Sequence, residues 1–272
     1  MTKIGYVQLA PVLGDSSPTI GIIDGLADEF QEADLVVLPE LCNSGYNFTS
    51  IDQARATAED AQNGPFVQYL HSLCIKHNQH IVAGINELAE DGKPYNTAVL
   101  LGPNGHIGKY RKLHLFLNEK DIFAPGNLGL PVFDLGFCKL GMLICFDWIF
   151  PETWRALTLK GADIVCHPAN LVIPGLCQRA IPVHALMNRI FIVTANRVGQ
   201  EGDLTFTGLS TMANPKGEVL CQAPETGNHV AVVDVDIALA HDKMITPRNH
   251  VIADRRPEEY TELTRTVPGE HP

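Results

Sequence analysis

The chain lacks the features of a membrane protein, a secreted protein or a nucleic-acid binder. Its 272 residues include no run of about 18 apolar residues, so we expect no membrane-spanning helix. The start, MTKIGYVQLA, has neither the basic flank nor the long apolar stretch of a signal peptide, and it is typical of a first strand. The formal net charge of −11 disfavours a cationic surface for nucleic acid. We therefore expect no membrane and no nucleic acid among its partners.

The cysteines also exclude several classes of protein. The chain has seven, an odd number, and no C-x-x-C pair, which fits neither a disulfide framework nor a zinc ribbon. Together with the absent signal peptide, this pattern predicts a reducing, cytoplasmic location. Most of these cysteines should be small buried hydrophobes. No cluster of candidate ligands calls for a metal or an organic cofactor, and we expect none.

Short apolar runs alternate with helical patterns along the whole chain. The sequence has no linker rich in Pro, Gly and Ser, no low-complexity segment and no short-period repeat. This interleaving predicts an α/β protein with a single domain over residues 1–272, ending in a polar tail from about residue 247. Pairs of strands joined by turns, such as YNTAVLLGPNGHIGKYRK, favour a mixed sheet. The pattern does not fix the number of sheets.

The stretch LGMLICFDWIFPE contains the first candidate for chemistry. Cys145 ends an apolar strand pattern, and a helix is predicted to start near Pro151. A tight turn between strand and helix can present a reactive side chain, and the N–H groups of the helix would favour a thiolate. The alternative is that Cys145 is the last inward residue of a buried strand. These residues alone favour neither interpretation.

A nucleophilic cysteine needs a base. His114 and His167 are candidates, but neither belongs to a recognisable protease or transferase pattern. Glu40 ends the buried-type run LVVLPE, where a carboxylate is costly unless it is paired or used. Burial would raise its pKa toward the range useful for a general base. Taken alone, Glu40 is better explained by a salt bridge at a sheet edge.

A cationic group follows in GKYRKLHLF. Lys112 stands where this segment returns to apolar residues, so one of its cations can turn inward and stabilise an oxyanion or pair with Glu40. Glu119, seven residues later in LFLNEKDIF, is a further acid in the same region. A solvated strand end and an exposed loop charge are the simpler interpretations of these two residues.

Taken together, these stretches resemble the nitrilase superfamily of carbon–nitrogen hydrolases. The resemblance rests on LVVLPE, YRKLHLF and GMLICFDWIFPE in that order, supported by EKDIFAPG, GADIVCHPAN, TANRVG and DRRPEEY. It implies a catalytic triad of Glu40, Lys112 and Cys145, with Glu119 as a second glutamate that orients Lys112 and the substrate.

The resemblance also implies a fold and an assembly. The expected fold is a four-layer αββα sandwich of two mixed sheets. The expected assembly is a homodimer that associates through the predicted helices of residues 151–160 and 176–189, with higher homo-oligomers left open.

The implied reaction is hydrolysis of a small aliphatic amide to an acid and ammonia through a cysteine thioester. The backbone N–H of Phe146 would share the oxyanion with the lysine, and Trp148 and Asn170 are candidates for the substrate pocket. A nitrile could react with the same triad. An N-carbamoyl substrate is a third alternative. Relatives that act on such substrates often carry basic residues just after the nucleophile to hold a carboxylate; Asp147 and Trp148 stand there instead and disfavour one, although Arg179 could still reach it.

Two other classes compete with a hydrolase. A binding or regulatory protein with the same fold would be expected to have a broken triad, whereas all three residues are present. A cysteine-reactive protein with a redox or acyltransferase role is the other, and an acyltransferase would pass the acyl group of the thioester to an amine instead of water. The partner predicted by the favoured interpretation is a small-molecule amide or nitrile.

Overall fold

The computed structural model describes residues 1–266. The last six residues of the predicted polar tail, 267–272, lie outside the described residues. All seven cysteines are free, and six of them are buried. No helix among residues 1–266 is long and apolar enough to cross a membrane.

The first half of the chain builds one six-stranded sheet with its helices. Its elements are β1 (Thr2–Gln8), α1 (Ser16–Phe30), β2 (Leu35–Val37), α2 (Ile51–Thr57), α3 (Pro65–His77), β3 (His80–Leu88), β4 (Pro94–Gly102) and β5 (Gly105–Arg111).

The second half builds the other large sheet and returns one strand to the first. Its elements are α4 (Glu119–Ile122), β6 (Val132–Asp134), β7 (Lys139–Met142), a 3₁₀ helix (Cys145–Ile149), α5 (Pro151–Leu159), β8 (Ile164–Ala169), α6 (Leu176–Asn188), β9 (Phe191–Asn196), β10 (Gln200–Glu201), β11 (Leu204–Thr205), β12 (Thr211–Ala213), β13 (Val219–Gln222), β14 (His229–Val235), β15 (Met244–Thr246) and β16 (Asn249–His250). Three further 3₁₀ helices span Ile237–Ala240, Pro257–Glu259 and Thr261–Thr264.

The two six-stranded sheets have the same pattern of strand directions. Their orders are β14-β1-β2-β3-β4-β5 and β6-β7-β8-β9-β12-β13. In each sheet the second, third and fourth strands are parallel to one another, and the remaining pairs are antiparallel. The fold is therefore built from two similar halves, a relationship that the sequence does not display as a repeat.

The sheets pack face to face, and helices cover their outer faces. Tyr6 and Leu100 of the first sheet share one core with Met142 of the second, and this core continues to Trp154 of α5 and Ile181 of α6. A separate core joins the other face of the first sheet to α1 and α3. Every residue of the parallel strands β2, β8 and β9 is buried, as expected when both faces of a sheet are covered. The predicted αββα sandwich of two mixed sheets is confirmed.

Three candidate site residues follow the carboxyl ends of parallel strands in the two sheets. Glu40 follows the carboxyl end of β2, Cys145 follows β7 and Asn170 follows β8. Parallel strands end at the same edge of their sheet, so this edge collects side chains from distant parts of the sequence. The strand predicted up to Cys145 ends at Met142, and a 3₁₀ turn separates it from α5.

Candidate active site

Glu40 lies fully buried between the two sheets. Its Oε1 accepts hydrogen bonds from Asn96 Nδ2 at 2.7 Å and from Lys112 Nζ at 2.8 Å. Its Oε2 is also buried and has no hydrogen-bond partner among the described residues. A buried carboxylate oxygen without a partner is costly. It is therefore a candidate for a group that takes up a proton.

The backbone around Glu40 is tightly fitted. Leu41 has a φ of +51°, a conformation that is unusual for a residue other than glycine. Gly84 of β3 passes directly beside it, and a Cβ at Gly84 would lie 2.4 Å from the Glu40 Cα. A glycine at this point allows the two backbones to approach and fixes where the carboxylate points.

Lys112 joins the two glutamates. It is almost completely buried, and its Nζ donates to Glu40 Oε1 at 2.8 Å and to Glu119 Oε1 at 2.7 Å. Burial lowers the pKa of Lys112, but the acidic groups around its ammonium outweigh burial and raise that pKa well above its ordinary value. The side chain therefore carries a fixed positive charge between two carboxylates.

Glu119 opens the short helix α4 and is held from three sides. Its Oε1 also accepts a hydrogen bond from the Tyr46 hydroxyl at 2.7 Å, and its Oε2 accepts from the N–H of Phe116 at 3.2 Å. Burial raises the pKa of Glu119 to about 7, against the opposing effect of the Lys112 ammonium. The carboxyl group is thus poised between its two protonation states near neutral pH.

Cys145 stands at a strained turn, with a φ of +43° and 4% of its surface exposed. His167 Nε2 donates to its backbone carbonyl at 2.9 Å, and His167 Nδ1 accepts from Thr194 Oγ1 at 3.1 Å. Burial lowers the pKa of His167 to about 4, so the ring is neutral. His167 therefore supports the backbone of the turn through Nε2, is itself held by Thr194 through Nδ1, and is not placed as a base for the thiol.

The thiol of Cys145 is protonated at rest. Burial raises its pKa well above the ordinary value, and the charge of Glu40 raises it further while Lys112 opposes the shift. Burial and the adjacent carboxylate therefore oppose the thiolate that the N–H groups of α5, which begins six residues later, would favour. Proton transfer must accompany attack by this sulfur.

Asp147 anchors the same turn to the strand that precedes Lys112. It is fully buried, and its Oδ2 accepts from Tyr110 Oη at 2.7 Å and from the N–H of Ile144 at 2.9 Å. Its Oδ1 accepts from the His114 N–H at 3.2 Å and interacts with the His114 ring at 2.8 Å. These four contacts hold the carboxylate inside the protein, so Asp147 is not placed to repel a substrate carboxylate as the sequence suggested.

A narrow slot reaches Cys145 from the surface. Its volume is about 20 Å³, little more than the space that one water molecule requires. The lining residues come from three segments at the ends of the strands: Phe116, Cys145, Phe146, Trp148, Asn170, Leu171, Val172 and Ile173. The wall is mainly apolar, with Asn170 as its polar member. Asn170 Nδ2 donates to the Glu40 carbonyl at 3.0 Å.

The structure brings all seven predicted site residues to one edge of the sandwich. Phe146, Trp148 and Asn170 line the slot, whereas Arg179 is exposed on α6 and does not line it. Tyr46 and Asn96, which contact the buried glutamates, were missed. The one sequence signal for Asn96 is an amide within the apolar strand YNTAVLL. No group of three or more His, Cys, Asp or Glu side chains within residues 1–266 is arranged to hold a metal ion.

Comparison with known proteins identifies the family. Residues 3–242 match the carbon-nitrogen hydrolase family model. A protein of Pyrococcus abyssi named nitrilase is 46% identical, over 96% of this chain and 99% of its own length. An (R)-stereoselective amidase of a Pseudomonas species is 36% identical, over 86% of this chain and 85% of its own.

The fold is shared with an enzyme of known structure. NitN amidase of Nesterenkonia sp. AN1 superimposes with a TM-score of 0.80 at 26% identity, covering 97% of this chain and 100% of that one. A mutant of the Nesterenkonia amidase was also solved after Michael addition of acrylamide at its active site cysteine.

Proposed function

The chain belongs to the carbon-nitrogen hydrolase family and is a hydrolase, and from this we propose that it cleaves small uncharged aliphatic amides to an acid and ammonia through a thioester on Cys145. One observation carries the proposal. The buried Lys112 ammonium donates hydrogen bonds to both Glu40 and Glu119. It lies near the buried Cys145, which stands at a strained turn. This arrangement supplies a base, an oxyanion partner and a nucleophile without further groups.

In the first half-reaction the thiol proton moves to Glu40 as the sulfur attacks the amide carbon. The unpartnered Oε2 is the oxygen available to take that proton. The carbonyl electron pair moves onto oxygen, where the Lys112 ammonium and the N–H of Phe146 stabilise the charge. Glu40 then donates the proton to the nitrogen, the C–N bond breaks, and ammonia leaves the thioester.

The second half-reaction uses the same groups with water in place of the thiol. Glu40 takes a proton from water as the water oxygen attacks the thioester carbon, and the C–S bond then breaks. The proton returns to the sulfur, and the acid leaves. Glu119 holds the ammonium toward the oxyanion in both halves and does not exchange protons with the substrate.

The slot supports a small and uncharged acyl group. Its side walls are built from aromatic and aliphatic side chains, and no cationic side chain lines it among the described residues. An unpaired substrate carboxylate would be expensive to desolvate in such a slot. These walls, and not the inward-held Asp147, therefore disfavour carboxylate-bearing carbamoyl substrates.

A nitrile is the second candidate, favoured by the similarity to the Pyrococcus protein named nitrilase. Attack on a nitrile would give a thioimidate, and water with loss of ammonia would lead to the same thioester. The site geometry accommodates either route, because the nucleophile, the base and the cation are shared.

Ammonia release from matched amides and nitriles of the same acids tests the proposal, with Cys145→Ala as the control. Turnover of propionamide but not propionitrile, lost in Cys145→Ala, supports the amidase. Comparable turnover of the nitrile replaces it with a nitrilase. Ammonia release that survives in Cys145→Ala refutes the assignment of the nucleophile.

We also propose that the chain forms a homodimer in a reducing cytoplasm. Support for the dimer comes from exposed apolar side chains on α5 and α6, among them Leu159, Val183 and Met187. They lie at or near a groove of about 500 Å³ between these helices and the C-terminal segment. Light scattering after size exclusion tests it: Met187→Glu should shift a dimer toward monomer, and a monomeric wild type contradicts the proposal.

A further inference from the structure

A buried ion pair lies against the loop of residues 43–49. Arg197, directly after β9, and Glu201 of β10 meet with Nη1 and Oε1 2.5 Å apart, and both side chains are almost fully buried. The guanidinium stacks over Phe206 at 3.9 Å and donates through Nη2 to the carbonyl of Pro11 at 3.1 Å. A buried ion pair is weak evidence for stability in itself, so its contacts with the loop decide what it does.

The second carboxylate oxygen of Glu201 binds the loop backbone. Oε2 accepts from the N–H of Tyr46 at 2.9 Å and from the N–H of Asn47 at 2.8 Å, and the Asn47 side chain donates to the Glu201 carbonyl at 2.9 Å. Gly45 has a φ of +74°, and a Cβ there would lie 2.8 Å from Glu201 Oε1 and 2.6 Å from the Cα of Leu13. The backbone of the loop is therefore in direct contact with the Glu201 carboxylate.

The loop delivers one hydroxyl to the candidate site. The Tyr46 ring packs edge-on against Phe206 at 5.9 Å, and its hydroxyl donates to Glu119 Oε1 at 2.7 Å. The same oxygen accepts from Lys112. An unbroken set of contacts thus leads from Arg197 through Glu201 and the loop to the ammonium proposed to hold the oxyanion.

We propose that Tyr46 is a positioning residue for the reaction, held in place by the pair of Arg197 and Glu201. The inference rests on the proposed function, because it assigns these residues a role in the same hydrolysis. Lysine has a flexible stem and three rotatable donors, so its ammonium points correctly only if its partners are fixed. Tyr46 does not line the slot beside Cys145, so its loss should lower kcat and leave KM nearly unchanged.

The hydroxyl also biases the protonation of Glu119. The groups that face this carboxyl are the Lys112 ammonium, the Glu40 carboxylate, the Cys145 thiol and the Tyr46 hydroxyl. Donation from Tyr46 favours the ionised carboxylate and lowers its pKa, while burial and Glu40 raise it. Removing the donor raises the pKa of Glu119, so activity that needs the ionised form should appear only at higher pH.

The test compares Tyr46→Phe with Tyr69→Phe in the full-length enzyme, with propionamide as substrate. The control also removes a hydroxyl that donates to a carboxylate, since Tyr69 donates to Asp24 at 2.8 Å between α3 and α1. Tyr46→Phe should lower kcat about ten- to a hundredfold, because a hydrogen bond to a charged group is lost. The acidic limb of its pH profile should move to higher pH, and Tyr69→Phe should match the wild type.

Glu201→Gln is the second variant. It retains one acceptor oxygen for the loop and lacks the charge, so its kcat should fall less than that of Tyr46→Phe with a pH shift of the same sign. Unchanged kcat and an unmoved acidic limb in Tyr46→Phe overturn the inference even if Cys145→Ala is inactive.

A second readout separates the inference from the proposed function. If the wild type releases no ammonia from amides, the proposed function fails. The positioning role is then tested by the rate at which iodoacetamide alkylates Cys145 at different pH values, measured on the Cys145 peptide by mass spectrometry. A pH dependence altered in Tyr46→Phe but not in Tyr69→Phe supports the role of Tyr46. Identical profiles overturn it.

Discussion

Replacing Asp147 with asparagine should damage both stability and activity. The carboxylate accepts four contacts, two on each oxygen, from Tyr110, Ile144 and His114. Asparagine has one acceptor oxygen, and its amide would face two donors. Two lost bonds to a charged acceptor at about 1.5 kcal/mol each weaken folding by about 3 kcal/mol. For a chain of 272 residues that corresponds to a fall in Tm of about 5 °C.

The activity should fall with the stability, because Asp147 connects the turn of Cys145 to the segment that bears Lys112. A displacement of about 1 Å between reacting groups can cost about a hundredfold in rate. Thermal unfolding by circular dichroism and ammonia release from propionamide measure the two effects at a temperature where the variant is folded. Asp134→Asn, at the exposed end of β6, is the matched control. An Asp147→Asn protein with unchanged Tm and kcat would refute the anchoring role.

Three further outcomes are expected. The kcat/KM of the wild type should fall as the pH is lowered through about 7, because Glu119 becomes protonated. Glu119→Gln should be less active and should not show this fall. A wild-type kcat/KM that does not change with pH in this range would contradict the prediction. The pKa of His167 falls from 6.5 to about 4 on folding, so the unfolded state takes up the proton first as the pH is lowered. The free energy of unfolding should therefore drop by about 3 kcal/mol as the pH falls from 6.5 to about 4. Denaturant titrations at several pH values should show that the free energy of unfolding depends less on pH in His167→Gln than in the wild type. An equal pH dependence in the two proteins would count against the buried neutral ring. Gly84→Ala places a Cβ 2.4 Å from the Glu40 Cα and should lower kcat, whereas Gly25→Ala, with open space around it, should not; equal activities would show that the close approach is unimportant.

The sequence predicts the residues that stand at strand ends. Glu40 and Cys145 each close an apolar run and lie three residues beyond the ends of β2 and β7, so both come to the carboxyl ends of parallel strands. The αββα sandwich, implied by the resemblance to a known family, is confirmed. The similarity of the two halves was not visible, because the strand pattern repeats while the residues do not.

The supporting residues could not be predicted, because their partners are remote in the chain. Tyr46 and Glu201 are 155 positions apart, and Asp147 and Tyr110 are 37 apart. Only the tertiary fold brings such groups together. The raised pKa of Cys145 could not be predicted for the same reason: the helix that favours a thiolate is visible in the sequence, but the burial of the sulfur beside Glu40 is not.

The central claim is that Cys145 carries the acyl group during turnover. Rapid acid quenching of the enzyme with propionamide, followed by peptide mass spectrometry, tests it most directly. The account predicts a propionyl adduct on the peptide that contains Cys145 in the wild type and its absence in Cys145→Ala. Turnover without an adduct on that peptide, or an adduct on another residue such as Cys42, would contradict it.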